Sequence, residues 1–393
     1  MIFKNAKVVL PNKVINGSVR VIDGLVKEIG EFQAINDETI DCKNNYLLPG
    51  FVDCHTHGSG GYDFMDGDTE AIEKASESLI KGGTTSFLAT SLTSSDEELV
   101  AFLKNAEKAQ SRKIGARLLG VHLEGPFINK KEKGAQDERY IVKPTIKHIE
   151  KFLSIAPGLV KRVSLAPEMD EDCTVIDYLV KENINVSCAH SDATLEEVKK
   201  AYDHGLSELT HFYSGMSSIT RHGGFRVLGC VESGYLIDDM YVELIGDGMH
   251  LPPALLDFIF RFKRHDRIVV CSDSMRGAGM KNGQSILGPK KNGTVVIIED
   301  GIAKMPDRSC FAGSVATGER LFNTLYKTMS LGVVEASRLL SLQPASTIGL
   351  DGEVGSIEVG KKADLLIINE EGKIEKIYKE GVEIKRWVLQ LMY

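Results

Sequence analysis

The feature that most constrains the fold is an alternation of short apolar strands with amphipathic helices between residues 49 and 344. Strand character is strongest in a segment ending at His57 and in seven later segments: 84–92, 116–122, 163–166, 185–190, 208–211, 242–246 and 268–273. Strands that alternate with helices form parallel sheets, and eight such units close into a ring. The pattern therefore predicts an α/β fold, a (β/α)8 barrel of the TIM type.

Capping residues and prolines mark the helix starts of this repeat. They stand at Asp68, Ser95, Thr194 and Pro252-Pro253, and the first of these helices is predicted to end at Gly82. Ser95 and Thr194 are each followed three residues later by glutamate, which is the capping-box pattern.

Both ends of the chain have a different character. Residues 1–48 alternate β-like runs with the turn signals Pro11-Asn12, Asn16-Gly17 and Asp23-Gly24, and the chain returns to strand and turn patterns after about residue 344. We expect residues 1–48 and 345–393 to form one small β-sandwich-like domain, into which the barrel of residues 49–344 is inserted.

Composition excludes several function classes. No apolar run approaches the roughly 18 residues that span a bilayer, and the net charge of −8 is spread without the basic face that nucleic acid requires. The seven cysteines form no Cys-x-x-Cys pair, and the N-terminus lacks the apolar core of an export signal. We expect a cytoplasmic protein with reduced thiols that binds neither membranes nor nucleic acid.

Side chains that bind metals recur where the predicted strands end. In a barrel of this type the reactive groups lie at the C-terminal ends of the strands. Five of the eight predicted ends carry such residues: His55, His57, Glu124, His190, His211 and Asp273. Each residue alone is as well explained by a core histidine or a helix-capping carboxylate. Their coincidence in a chain with only ten histidines predicts one metal centre.

The residue types limit the metal and suggest a proton carrier. Imidazole and carboxylate ligands suit zinc, iron, cobalt or manganese without choosing among them. Asp273 ends the last strand, where it can act as a general base toward water and then as a general acid toward a leaving nitrogen. The alternative role, a helix cap, is disfavoured because Gly277 and Gly279 follow closely.

Seven short motifs carry a family resemblance. They occupy residues 49–53, 122–127, 189–193, 210–213, 247–250, 272–273 and 311–314, and the His-Leu-Glu-Gly-Pro segment that begins at His122 is the most specific. On these motifs the chain resembles the amidohydrolase superfamily along its whole length, and within it the N-acetylglucosamine-6-phosphate deacetylases. Other binuclear members of the superfamily use a carboxylated lysine after strand four, and residues 162–168 offer none at the strand end.

The resemblance implies one or two divalent ions. Glu124, His190 and His211 would hold the main ion, His55 and His57 a second one bridged by Glu124, and Asp273 would be the acid and base. Family members with a single ion use a histidine where this chain has Gln136. A second ion would then polarise the acetamide carbonyl in its place.

The resemblance also implies the substrate contacts. They are Ala135, Gln136, Ser214, Gly215, Arg221, His222, Asp247, His250, Phe311, Ala312 and Gly313. His250 would hold a sugar hydroxyl or the carbonyl, or else cap the following helix. His222 stands at the place of the family's phosphate-binding arginine, with Arg221 beside it and Arg226 nearby. Either one of these residues takes that role, or the substrate is an unphosphorylated or differently decorated sugar, or the Arg-His pair is only solvated charge.

The expected reaction is hydrolysis of an N-acetyl amino sugar phosphate to the amine and acetate. One alternative hypothesis is a D-aminoacylase-like or cyclic amide hydrolase. Another is a metal-binding barrel without catalysis, but the intact ligand set favours an enzyme. By the same resemblance we expect a homodimer.

Overall fold

The computed structural model describes residues 1–32, 38–112 and 115–385. In chain order the strands of these residues are β1 (Ile2–Val9), β2 (Val14–Ile22), β3 (Leu25–Gly30), β4 (Thr39–Asp41), β5 (Tyr46–Pro49), β6 (Phe51–Thr56), β7 (Gly58–Ser59), β8 (Tyr62–Asp63), β9 (Thr84–Thr90), β10 (Arg117–Glu124), β11 (Val160–Leu165), β12 (Asn185–Cys188), β13 (Glu208–Leu209), β14 (Thr220–His222), β15 (Phe225–Val227), β16 (Tyr241–Ile245), β17 (Ile268–Cys271), β18 (Gly283–Leu287), β19 (Thr294–Glu299), β20 (Ile302–Lys304), β21 (Leu365–Ile368), β22 (Ile374–Lys379) and β23 (Val382–Ile384).

The α-helices pack mainly around the barrel. They are α1 (Thr69–Lys81), α2 (Asp96–Gln110), α3 (Ile146–Leu153), α4 (Thr174–Lys181), α5 (Leu195–Asp203), α6 (Cys230–Leu236), α7 (Pro253–Phe262), α8 (Gly318–Asn323), α9 (Val333–Leu340) and α10 (Leu342–Thr347). Asp68 caps α1 by accepting a hydrogen bond from the backbone of Ala71, and Thr194 and Glu197 form the reciprocal box at α5. These predicted starts are confirmed, as is the start of α7 after Pro252.

Eight parallel strands form the barrel, as predicted. Their order is β6, β9, β10, β11, β12, β13, β16, β17, each paired with the next. The ring closes beyond the last strand, where the Asp273 amide donates to the His55 carbonyl at 2.8 Å and the His57 amide donates to the Ser274 carbonyl at 2.7 Å. The boundaries differ from the predicted ones, because β11 begins at Val160 and β13 contains only Glu208 and Leu209.

Strands from both chain ends share a second sheet. Its order is β23, β22, β21, β5, β1, β2, β3, with β4 on β1. Strand β5, which leads into the barrel, pairs antiparallel with β21, the first strand after the barrel. Leu48 lies opposite Leu366 in this pair. Phe3 and Tyr378 meet edge to face in the core of this sheet, with ring centroids 4.7 Å apart. Residues 33–37 and 386–393 of the predicted terminal domain lie outside the described residues.

One predicted hairpin turn is wrong. Asn16 and Gly17 lie inside β2, where Gly17 pairs with Ala6. The turn between β1 and β2 is made earlier, where the Leu10 amide donates to the Lys13 carbonyl, so the chain is already extended when it reaches Asn16. The Asp23-Gly24 turn is confirmed, and both residues have positive φ angles of 51° and 75°.

No helix in the described ranges is long and apolar enough to cross a bilayer. The described cysteines, seven in all, are free thiols.

Arg117 ties the barrel to the terminal sheet. Its guanidinium bonds Asp364, whose side chain is 5% exposed, and lies 2.9 Å from Glu380. The Arg117→Met variant should lower the free energy of unfolding by about 3 kcal/mol, because it leaves a buried carboxylate without its partner. Urea unfolding measures the change. In the control Lys7→Met, the partner Glu370 is 70% exposed and the midpoint should hardly move. Equal shifts in the two variants would contradict this role for Arg117.

Candidate metal centre and active site

The C-terminal ends of the barrel strands open into a cavity of about 220 Å³. The cavity is lined by His57, Leu92, Glu124, Gly134, Ala135, Gln136, His190, His211, Ser214, Gly215, Ile245, His250, Asp273, Leu287, Cys310, Phe311 and Gly313. Its volume suits a small molecule rather than a polymer.

Three of the residues at the strand ends have unusual backbone angles. His190, His211 and Asp273 have φ values of 47°, 33° and 46°, in the left-handed region that side chains with a Cβ rarely adopt. Each lies two residues beyond its strand, and all three side chains face the cavity. A strained backbone of this kind is typical of functional positions.

One group of ligand atoms centres on Glu124. Its Oε1 lies 3.2 Å from Nε2 of His190 and 3.0 Å from Nε2 of His211, and the two nitrogens are 3.2 Å apart. All three residues are buried.

A second group adjoins the first. Oδ1 of Asp273 lies 3.1 Å from Nε2 of His57 and 3.5 Å from Nε2 of His55. Glu124 reaches this group too, with Oε1 3.6 Å from Nε2 of His55 and Oε2 3.5 Å from Nε2 of His57. The structure thus brings together all six residues predicted as metal ligands or proton carrier, and Glu124 lies between the two groups.

The donor atoms fit divalent ions. Nε2 of His55 is buried without a hydrogen-bond partner among the described residues, and such a group is stable only if something else satisfies it. Nδ1 of His190 lies 2.8 Å from the Glu132 carbonyl oxygen, which keeps the proton on Nδ1 and leaves the Nε2 lone pair for a metal. Two clusters of nitrogen and carboxylate oxygen suit zinc and its neighbours.

Asp273 is held in its ionised form. Burial alone would raise the pKa of its carboxyl group, but the attraction of His55 and His57 outweighs burial and keeps this pKa below the ordinary value. A carboxylate that is ionised near neutral pH is able to accept a proton. Asp53, two residues before His55, bonds the hydroxyl of Ser272 at 2.5 Å and so holds the chain just before Asp273.

Gln136 is fixed in one orientation. The Thr93 amide donates to its Oε1 at 2.7 Å, so its Nε2 faces Glu124, and this nitrogen donates to Oε2 at 2.8 Å. Because the side-chain amide is planar, the direction of the second N–H on Nε2 is fixed as well. Gln136 therefore contacts the carboxylate shared by the two ligand groups while also lining the cavity.

His250 also lines the cavity, and Asp247 supports it. Nδ1 of His250 lies 2.8 Å from Asp247 Oδ2, and Phe311 stacks edge to face on the His250 ring at 5.0 Å. Asp247 itself is not part of the lining, and neither is the fully buried Ala312. The other predicted contacts Ala135, Ser214, Gly215 and Gly313 do line it.

Arg221 and His222 lie outside the cavity lining, on the exposed hairpin of β14 and β15. Arg221 pairs directly across the hairpin with Arg226, and His222 with Phe225, which is 80% exposed. Like charges in direct cross-strand positions repel each other. Neither arginine forms an ion pair with a described residue, so this hairpin presents uncompensated positive charge.

Sequence reasoning missed several lining residues. Leu92, Ile245, Leu287 and Cys310 form apolar parts of the wall. Leu92 is the last residue of its predicted strand and Ile245 is one residue before the end of its own. Both were missed because only polar residues at strand ends were considered as site residues. Leu287 belongs to the β18–β20 sheet, whose position over the barrel no local pattern indicates.

The described geometry has counterparts among known proteins. The profile of the "Amidohydrolase family" matches residues 46–386. The chain is 31% identical to the N-acetylglucosamine-6-phosphate deacetylase of Bacillus subtilis (strain 168), covering 98% of this chain and 99% of the relative. It is 28% identical to the N-acetylgalactosamine-6-phosphate deacetylase of Escherichia coli O157:H7, over 92% and 93% of the two chains. The crystal structure of N-acetylglucosamine-6-phosphate deacetylase from Thermotoga maritima matches with a TM-score of 0.86 and 32% identity, over 98% of this chain and all of that one. These likenesses include the barrel and the terminal sheet.

Proposed function

The chain belongs to the amidohydrolase family, and on that premise we propose that it hydrolyses the acetamide of N-acetylglucosamine-6-phosphate to glucosamine-6-phosphate and acetate. The observation that carries this proposal is the convergence of Glu124, His57, His190, His211 and Asp273 on one small cavity, with His55 buried beside Glu124 and Asp273. The similarity to deacetylases of amino sugar phosphates, over nearly the whole chain, supports the choice of substrate.

We assign two ions to the two ligand groups. Glu124, His190 and His211 would hold one, and His55, His57 and Asp273 the other, with Glu124 touching both groups. Bound there, a divalent ion acts as a Lewis acid on an amide carbonyl and lowers the pKa of water. Donor chemistry leaves zinc, iron, cobalt and manganese open.

Asp273 moves the proton in the proposed reaction. Its carboxylate takes a proton from the attacking water as the water oxygen bonds to the acetyl carbon. It then gives that proton to the nitrogen as the carbon–nitrogen bond breaks, so that the amine and acetate leave. Gln136, with its Nε2 at the cavity wall, and His250, whose Nε2 is left available by the bond to Asp247, orient the acetamide and the sugar.

The Asp273→Asn variant should retain its metal and lose about 10²- to 10⁴-fold in turnover, because the general acid and base is removed while an oxygen ligand remains. Release of free amine from N-acetylglucosamine-6-phosphate, measured beside elemental analysis, tests this. The matched control is Asp170→Asn, since Asp170 is equally buried but only caps α4. Near-normal turnover in Asp273→Asn would remove this residue from the mechanism.

The same assay separates the rival activities. N-acetylgalactosamine-6-phosphate, unphosphorylated N-acetylglucosamine, an N-acyl amino acid and a hydantoin are compared as substrates. Preference for either of the last two would replace the proposed function with that of a D-aminoacylase-like or cyclic amide hydrolase.

We assign phosphate recognition to the β14–β15 hairpin, because no lysine or arginine lines the cavity among the described residues and because Arg221 and Arg226 face each other on this hairpin without an ion-pair partner in the described ranges. Arg221 is the proposed contact. The Arg221→Gln variant should raise the KM for the phosphorylated sugar about tenfold or more and leave the weak rate on the plain sugar unchanged.

The control for this variant is Arg264→Gln, because Arg264 precedes β17 and so lies at the opposite end of the barrel, paired with Asp239 and Asp266. An unchanged KM in Arg221→Gln would show that Arg221 is not the phosphate contact.

We also propose a homodimer in the cytoplasm. Three apolar side chains on α6 and α7 are exposed: Leu236 at 60%, Phe258 at 45% and Phe262 at 64%. The Phe258 and Phe262 rings lie 4.8 Å apart, and exposed apolar patches of this kind mark interfaces. The cytoplasmic assignment is supported by the free thiols.

Light scattering should therefore give twice the mass of one chain, and Phe262→Glu should shift it to the single chain, because a buried charge opposes association. The control Val382→Glu alters an equally exposed apolar residue of the terminal sheet. A single-chain mass for the unaltered protein would contradict the dimer.

A further inference from the structure

A charged layer lies beneath the ligand atoms, inside the barrel, and the proposed reaction makes no use of it. Arg162 on β11, Glu208 on β13 and Glu243 on β16 are fully buried. The interior of such a barrel is usually filled by branched apolar side chains, and buried ions are stable only when they are closely paired. Their presence at this depth therefore calls for a specific role.

Glu243 receives three hydrogen bonds on its two oxygens. Oε1 lies 2.8 Å from Nδ1 of His55 and accepts from the backbone amide of His211 at 3.2 Å. Oε2 accepts from the guanidinium of Arg162. Arg162 is in turn held by the hydroxyls of Ser187 and Thr210, each 3.1 Å away.

This arrangement determines which nitrogen of His55 carries a proton. A carboxylate accepts and does not donate, so Nδ1 of His55 carries a proton, and in the neutral imidazole that binds a metal the lone pair is then on Nε2. Nε2 points to Asp273 and Glu124, at 3.5 and 3.6 Å, and has no hydrogen-bond partner among the described residues. The same oxygen also holds the backbone of His211, a member of the other ligand group.

We propose that Glu243, aligned by Arg162, is a positioning residue that selects the metal-binding tautomer of His55 and so allows the group of His55, His57 and Asp273 to bind its ion. The inference rests on the proposed metal centre but not on the identity of the substrate. A competing view places an ion directly on His55, Glu243 and Cys271, whose ligand atoms are also close together. Both oxygens of Glu243 are already engaged, which disfavours that view.

The Glu243→Gln variant tests the proposal. Three donors face this side chain, and glutamine has only one oxygen for them. Arg162 carries a charge and competes best for that oxygen, so the amide nitrogen turns toward His55 and forces the proton onto Nε2. Titration of the metal-free protein with buffered Zn²⁺ should give two sites in the unaltered chain. One site should be weakened about 10- to 100-fold in the variant, while the other serves as an internal check that the barrel has folded.

Two further variants complete the test. Glu208→Gln removes a charge from the same layer, 3.1 Å from Arg162, without touching His55 or His211, and should bind both ions normally. Glu243→Asp keeps the charge opposite Arg162 but withdraws the carboxylate from His55. It should fold even if the glutamine variant does not, and should weaken the same site.

Several results would overturn the proposal. They are normal affinity at both sites in the Glu243 variants, equal weakening in Glu208→Gln, loss of a third ion that the unaltered chain binds, or a single site in the unaltered chain. Because no substrate is present, these results are independent of whether the chain deacetylates an amino sugar phosphate.

Discussion

The carboxylate of Glu124 is the contact on which both halves of the site depend. It lies within 3.0 to 3.6 Å of a nitrogen on each of four histidines. A buried anion surrounded by imidazoles is stable only if every donor around it is held in place, and the parallel barrel meets this condition. It brings strand ends that are 149 residues apart in sequence, at Glu124 and Asp273, to one end of the barrel.

Prediction from sequence succeeded where a local pattern carries the information. Alternating strands and helices indicated the barrel, and polar residues at strand ends indicated which side chains lie close together, because parallel strands place their C-terminal ends together. The Asn16-Gly17 turn failed because a residue pair favours a turn only if the chain has not already turned, and Pro11-Asn12 precedes it. The length of β13 was overestimated because His211 leaves the extended conformation.

Arg162 and Glu243 were missed for a different reason. Charged residues inside a strand are normally read as solvent-facing, and nothing local distinguishes an exposed Arg–Glu pair from one inside a barrel. A signal was present: Glu243 lies two residues before Ile245, so the two-residue period of a strand places it on the same inward face. The contacts among β6, β11 and β16 that neutralise it are visible only in three dimensions.

The left-handed backbone angles of His190, His211 and Asp273 lower the stability of the fold at the positions whose side chains the proposed reaction needs. Glycine adopts such angles without steric strain, whereas each non-glycine residue there reduces the stability of the folded state by about 1 to 3 kcal/mol. Directed evolution that selects for thermostability alone would therefore favour glycine at these three positions, although their side chains belong to the proposed active site. Thermostable variants of this protein would stay active only if each round of selection also included a screen for catalytic turnover.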